Sequence, residues 1–328
     1  MASARACCRV DLAGGTLDIW PLGLLHQPSA TVNVAIDVTV QATVEPGAGG
    51  VYEVRQGGGC QRAASVAELR THPDTALVGV VAEALDLPPM TVTLQSASPR
   101  GGGLGASSAM TVALIAAAEE AFALARSGAE RRARLARDLE ARLMGLPTGT
   151  QDHYAALLGG AVEIRHLPGG AAVSHLPVDL DRLGACLLVV YSGQSHFSAG
   201  QNWQVVRRRL EGEPEVTELL SGIGRVAAEV GVKLAAGDLR AVGALMAEEW
   251  ALRRRLAPGI STPAVEQLLA SAVRAGAWGG KACGAGGGGC VAILGPPAIR
   301  SEMAARLTFL GGQVLPALPV PWPLAVSE

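Results

Sequence analysis

Pro99-Arg100-Gly101-Gly102-Gly103-Leu104-Gly105-Ala106-Ser107-Ser108-Ala109 follows a strand-like run, Met90–Gln95, and leads into an apolar run, Met110–Ala118. The order strand, glycine loop, helix decides how the chain is read. Glycines let the backbone turn with φ > 0 and approach a bound group closely. The first N–H groups of a helix lack internal partners, and with the helix dipole they attract anions, phosphate above all. A glycine loop closed by serines also serves as a plain tight turn with an N-cap. The stretch is not a Walker A loop, because no Lys follows its last Gly, and it lacks the spacing of the dinucleotide fingerprint. What it implies is an anion cradle, of a kind that suits a nucleotide.

Working outward, Thr31–Val44 alternates. Val32, Val34, Ile36, Val38, Val40, Ala42 and Val44 face one way, and Asn33, Asp37, Thr39, Gln41 and Thr43 the other. This predicts a long, half-buried antiparallel strand, with Val51–Arg55 as its partner across Pro46–Gly50. Ala6–Ala13 reads as a first strand ending in Gly14-Gly15. Helices are predicted at Ser107–Arg126 and Ala129–Met144; in the second, Leu135, Leu139 and Leu143 share a face and Gly145 supplies the stop. Ala161–Arg165 and Ala171–Leu176 form a hairpin pattern across Pro168-Gly169-Gly170. Cys186–Tyr191 reads as a buried strand, Asn202–Ala277 as mainly helical, the flanks of Gly284–Gly289 as a strand pair, and Gln313–Leu318 as a final strand. The class is α+β with mostly antiparallel strands and helices grouped in runs. The loop-like Pro177–Gly184 suggests two units, 1–180 and 181–328.

Composition sets bounds. The chain has 328 residues, 49% of them hydrophobic but only 3% aromatic, so Ala, Leu and Val must fill the core. A formal net charge of −2 argues against bulk binding to nucleic acid or an acidic membrane. The runs Arg207–Arg209 and Arg253–Arg255 read as solvated helix faces or as a hold for a phosphate. The six cysteines include no C-x-x-C pair, which predicts buried free thiols, no Cys/His metal site and a reducing, cytoplasmic setting. The apolar run after the glycine loop is too short to span a bilayer and reads as a buried helix.

Three further segments carry chemistry. Arg9-Val10-Asp11-Leu12-Ala13-Gly14-Gly15-Thr16-Leu17-Asp18 places a cation on a strand and a carboxylate beyond a glycine turn, where it can accept two hydroxyl hydrogen bonds or cap a turn. Gly149-Thr150-Gln151-Asp152-His153-Tyr154 puts an aspartate after a Gly/Pro loop, a place for a helix cap or for a rigid catalytic carboxylate. Lys281-Ala282-Cys283-Gly284-Ala285-Gly286-Gly287-Gly288-Gly289-Cys290 holds four consecutive glycines, whose entropic cost fits close approach to another element or a ligand.

Together these segments resemble the GHMP small-molecule kinases. Pro99–Ala109 is similar to that family's P-x-x-x-G-L-G-S-S-A motif, and Lys281–Gly289 to its K-x-x-G-A-G-G-G-G motif. The Arg9–Asp18 segment resembles the R-x-x-F-x-G-G-G-T-D of heptose-phosphate and fucose kinases more than the galactokinase form. Gln151–Tyr154 resembles their Q-D-Q-Y, with His153 in place of Gln. Tyr191–Gly212, with Ser198, Asn202, Trp203 and Arg207–Arg209, is also similar to the sugar-kinase branch. Ala106 makes the loop one residue longer than the family pattern.

The resemblance implies a two-domain fold with the active site in the cleft between the domains. It implies ATP and Mg²⁺ as cofactors and a sugar or sugar phosphate as acceptor, phosphorylated at a hydroxyl, the anomeric one included. ATP would lie on Pro99, Gly101, Gly102, Gly103, Leu104, Gly105, Ala106, Ser107, Ser108, Gly286 and Gly287, with Ser108 and Glu140 on the metal. Asp152 would be the catalytic carboxylate and Arg9 would offset charge on the transferred group. Gly14, Gly15, Thr16, Asp18, Gln151 and Tyr191 would meet the acceptor. From spacing alone Glu140 is an ordinary helix charge beside Arg137. Lys281 would brace the glycine loop rather than do chemistry. The other readings are a mevalonate- or homoserine-type kinase and a catalytically silent sensor.

Overall fold

The computed structural model describes residues 1–47, 49–195 and 199–327; Ser198 lies outside them. Two sheets carry the fold. The larger runs β12-β1-β2-β5-β3-β4, where β1 is Ala2–Ala13, β2 Ala30–Pro46, β3 Tyr52–Gln56, β4 Gly59–Ala63, β5 Met90–Ser96 and β12 Ala325–Ser327; the hairpin β6 (Ala161–Leu167) and β7 (Gly170–His175) joins through β2. The smaller runs β11-β8-β10-β9, with β8 Leu187–Tyr191, β9 Gly279–Ala282, β10 Cys290–Leu294 and β11 Gln313–Leu315. Every named pairing but β3 with β5 is antiparallel.

The helices follow in chain order. Short turns α1 (Leu22–Leu25) and α2 (Val66–Leu69) precede α3 (Ala76–Ala84), α4 (Ala106–Ala121), α5 (Ala129–Met144), α6 (Gln151–Leu158) and α7 (Leu180–Cys186). Then come α8 (Ala199–Leu210), α9 (Pro214–Ala235), α10 (Leu239–Arg253), α11 (Pro263–Arg274) and α12 (Arg300–Phe309). Helix α4 is almost wholly buried, and its Ala, Val and Leu side chains let it lie on β1 and β2 as the centre of the core. Among the described residues no helix is long and apolar enough to cross a membrane.

Several expectations are corrected. Val51–Arg55 does not pair with the long strand: β5 takes that edge along Val40–Pro46, and β3 pairs with β5 and β4. The long strand is half-buried only from Asp37 onward. Its first half is buried on both faces, because α6 meets the side of Asn33, whose amide donates to the Gln151 carbonyl, and α9 meets the side of Val32. Helix α4 stops at Ala121, after which Ala123 takes a left-handed φ of 50°. The cysteines are free, but Cys60 is exposed on the β3–β4 hairpin. Strand β12, unsignalled in the sequence, returns the chain's end to the edge of β1.

Candidate active site

Strand β1 supplies the centre of the site. Val10 and Leu12 enter the core, so Arg9 and Asp11 project from the opposite face. Arg9 is 3% exposed; its Nη2 lies 2.6 Å from Asp152 Oδ1, and its Nη1 donates to the Gly103 carbonyl at 2.6 Å. Its backbone N–H donates to the Leu104 carbonyl at 2.9 Å. One residue thus ties the first strand, the glycine loop and the first turn of α6 together. Burial works against its charge, but Asp152 and Asp11 outweigh this and hold the guanidinium above its ordinary range.

The glycine loop ends at Gly105, the N-cap of α4, with φ 73°. The first helical bond runs from Ala109 N to Gly105 O, and no side chain caps the terminus. The N–H groups of Ala106, Ser107 and Ser108 are therefore free of helical partners, as an anion cradle requires. A Cβ on Gly105 would stand 3.0 Å from the Asp152 carboxyl carbon, so the glycine is what lets that carboxylate approach the cradle. The C-terminal glycine run packs behind the loop: Cys290 N donates to Gly102 O, and Cβ atoms on Gly103 or Gly289 would strike backbone carbonyls across the contact.

Ser107 is exposed, whereas Ser108 is buried and its hydroxyl donates to Glu140 Oε2 at 2.9 Å. Thr111 Oγ1 donates to the other carboxylate oxygen at 3.1 Å, and His153 Nε2 lies 3.3 Å from Oε2. Glu140 is thus no ordinary exposed helix charge. Burial disfavours the His153 imidazolium, but the adjacent Glu140 carboxylate overrides it and raises the pKa. A hydroxyl and a carboxylate side by side on the cavity wall are hard oxygen donors that fit Mg²⁺, which keeps several waters and needs few protein ligands. Among the described residues no cluster of three or more His, Cys, Asp or Glu could hold a metal alone.

Asp18 is half-buried at the other end, accepting the Gln151 N–H at 3.0 Å. Burial pushes its carboxyl up to about 6, against that hydrogen bond and with help from Asp152 and Asp11. The cavity has a volume of about 1170 Å³. It is walled by Arg9, Thr16, Asp18, Gln151 and Asp152, by Pro99 and Gly101–Ser108, by Glu140, and by Gly284, Ala285, Gly286 and Gly288. Gly14, Gly15, Tyr191 and Gly287 are not on its wall; Tyr191 sits in β8 between Cys290 and Gln313, and Gly287 turns to the Ile260 carbonyl. The β3–β4 hairpin, with Arg55 and Cys60, closes the outer end.

Sequence reasoning missed a buried ion cluster beneath Gly14–Thr16. Lys281 Nζ donates to Asp11 Oδ2 at 2.9 Å and to Glu249 Oε1 at 3.2 Å, and Arg253 Nε donates to both Glu249 oxygens. Arg253 is neither a solvated face nor a hold for a phosphate, because it is buried in this cluster; within the run Arg254 and Arg255 are exposed, paired with Glu266 and Glu215. Arg207 and Arg208 pair with Glu211 and Glu213, and Arg209 donates to His26, so none of that run lines the cavity. A charged i, i+4 pair at Glu249 and Arg253 was the one available signal.

The fold and site define an α+β protein with a large cleft lined by two glycine loops. Residues 75–160 match the family model described as GHMP kinases N terminal domain, and residues 232–311 match GHMP kinases C terminal. The chain belongs to the GHMP kinase family. It is 34% identical over 229 residues to a mevalonate kinase of Thermococcus onnurineus, a match spanning 68% of this chain and 64% of that one. It is 30% identical over 230 residues to a galactokinase of Mycobacterium tuberculosis, spanning 60% of this chain and 61% of that one. A crystal structure of a D-glycero-D-manno-heptose 1-phosphate kinase from Bacteroides thetaiotaomicron superposes with a TM-score of 0.79 at 23% identity, covering 100% of this chain and 99% of that one.

Proposed function

We propose that the chain transfers the γ-phosphoryl group of ATP to a hydroxyl of a sugar or sugar phosphate. The observation that carries this is the Arg9–Asp152 pair, 2.6 Å apart, standing between the uncapped start of α4 and Asp18. The α4 cradle receives the ATP phosphates, and Ser108 with Glu140 would hold Mg²⁺, which neutralises phosphate charge when bound. Asp152 accepts a hydrogen bond from the attacking hydroxyl and takes its proton as that oxygen bonds to the γ-phosphorus and the bond to ADP breaks. Arg9 offsets the charge on the transferred group. Asp18 accepts hydrogen bonds from the acceptor's other hydroxyls.

The sequence likeness to mevalonate kinase favours a second reading, with a carboxylate acceptor. The electrostatics favour a polyol. At the acceptor end stand Asp18 and Asp152, while Arg9 is engaged by Asp152 and Gly103, and Lys281 and Arg253 are buried in ion pairs. A coupled ADP-release assay over free sugars, sugar phosphates, mevalonate and homoserine separates the two. Turnover on a sugar or sugar phosphate is expected. Turnover on mevalonate alone establishes the second reading, and silence on all four classes with ATP still bound points to a sensor.

A further inference from the structure

Thr16 adopts φ 75°, a region that β-branched residues avoid. Something must hold it there. Arg253, a residue of α10, donates from Nη2 to the Gly15 carbonyl at 2.7 Å and from Nη1 to Thr16 Oγ1 at 2.9 Å. Its Nε and its Nη2 also donate to Glu249, which accepts from Lys281 as well, so the fork is fixed in a buried, charge-balanced setting. A guanidinium only donates, so Thr16 Oγ1 must accept from it. The threonine's own proton is then directed elsewhere. Asn202 Oδ1, at a long 3.5 Å, is the partner within reach, and both residues line the cavity.

We infer that Arg253 is a positioning residue for the acceptor subsite: it clamps Gly15 and Thr16 so that Thr16 offers a hydrogen-bond donor to an acceptor oxygen, beside Asp18 as hydrogen-bond acceptor. A donor and an acceptor side by side recognise a hydroxylated carbon chain, and a carboxylate would satisfy only the donor. This inference rests on the sugar-kinase reading for its substrate, but the clamp itself does not.

The test uses the full chain carrying Arg253→Lys, which keeps the charge beside Glu249 but loses the fork, and Thr16→Val, which keeps the shape but loses the hydroxyl. Hydrogen exchange at the amides of residues 14–18 is expected to quicken about tenfold or more in Arg253→Lys, while strand β1 and helix α10 keep their protection. With an acceptor that the unaltered protein turns over, each variant is expected to raise the acceptor KM roughly tenfold more than it lowers kcat. The double variant is expected to cost little more than either alone, because the two act as a unit, and Thr16→Ser is expected to restore most of the loss. Unchanged exchange at 14–18 overturns the clamp. Faster exchange with additive, kcat-only losses overturns the acceptor role. An unaltered protein silent on every sugar overturns the sugar-kinase reading and the acceptor role together, while the exchange result still decides the clamp.

Discussion

Asp152 meets Arg9 on one side and Gly105 on the other, so its carboxylate has little freedom. Asp152→Asn keeps that shape and removes the proton acceptor; turnover in the ADP-release assay is expected to fall ~100-fold or more with ATP affinity retained. Ser108 and Ser107 offer a sharper contrast. Only Ser108 faces Glu140, so Ser108→Ala is expected to raise the Mg²⁺ concentration for half-maximal rate several-fold, and Ser107→Ala to leave it near the starting value. Asp18 carries a cost that stability measurements can read. Its folded pKa of about 6 lies above the ordinary carboxylate value, so the folded state holds its proton to higher pH than the unfolded chain does. Its contribution is therefore fully favourable below pH ~4, declines as pH rises to ~6, and is a penalty above that. Asp18→Asn is expected to raise stability at pH 7.5 by ~1–2 kcal/mol, a figure reduced for its partial exposure, and to give no gain below pH ~4 in denaturant titrations. With Asp18 binding the acceptor as proposed, the variant's acceptor KM is expected to rise at neutral pH.

At the scale of elements, the site is two glycine loops in backbone contact. Gly103 has φ 71°, and a Cβ there would stand 2.5 Å from the Cys283 carbonyl oxygen. Gly145, at φ 66° after α5, has open space around its Cβ. Gly145→Ala is expected to cost ~1 kcal/mol and leave the ATP KM alone. Gly103→Ala carries the same strain plus a collision between the loops; it is expected to cost ~2–4 kcal/mol and to raise the ATP KM, with guanidinium titration and initial rates as the measurements. The contrast shows what sequence can and cannot disclose. Local patterns revealed the elements: alternation revealed β2, the leucine spacing and Gly145 delimited α5, and the glycine loop announced the start of α4. Edge order was hidden, because β3 and β5 both alternate and only packing decides which lies against β2. Glu140 was legible through the family resemblance, since its burial depends on Ser108, Thr111 and His153 from other helices.

At the scale of the molecule, the two sheets are joined where sequence gives least warning. Asp11 comes from the larger sheet, Lys281 from the smaller, and Glu249 and Arg253 from the helix packed on β9; all four are buried. Three segments far apart in the chain, with only the Glu249–Arg253 pair local, meet when both halves have formed. Two cations and two carboxylates balance, so the cluster avoids the large cost of an unpaired buried charge. A buried set of this kind adds modest net stability but penalises any arrangement that leaves one member alone. Lys281→Met leaves Asp11 without its hydrogen-bonded cation and Glu249 with Arg253 alone. It is expected to lose ~3–5 kcal/mol in denaturant unfolding. Lys281→Met combined with Asp11→Leu leaves Glu249 and Arg253 as a closed pair and is expected to recover much of that loss. If the double variant is no more stable than Lys281→Met, the cluster is not charge balance joining two halves, and Lys281 acts through its packing instead.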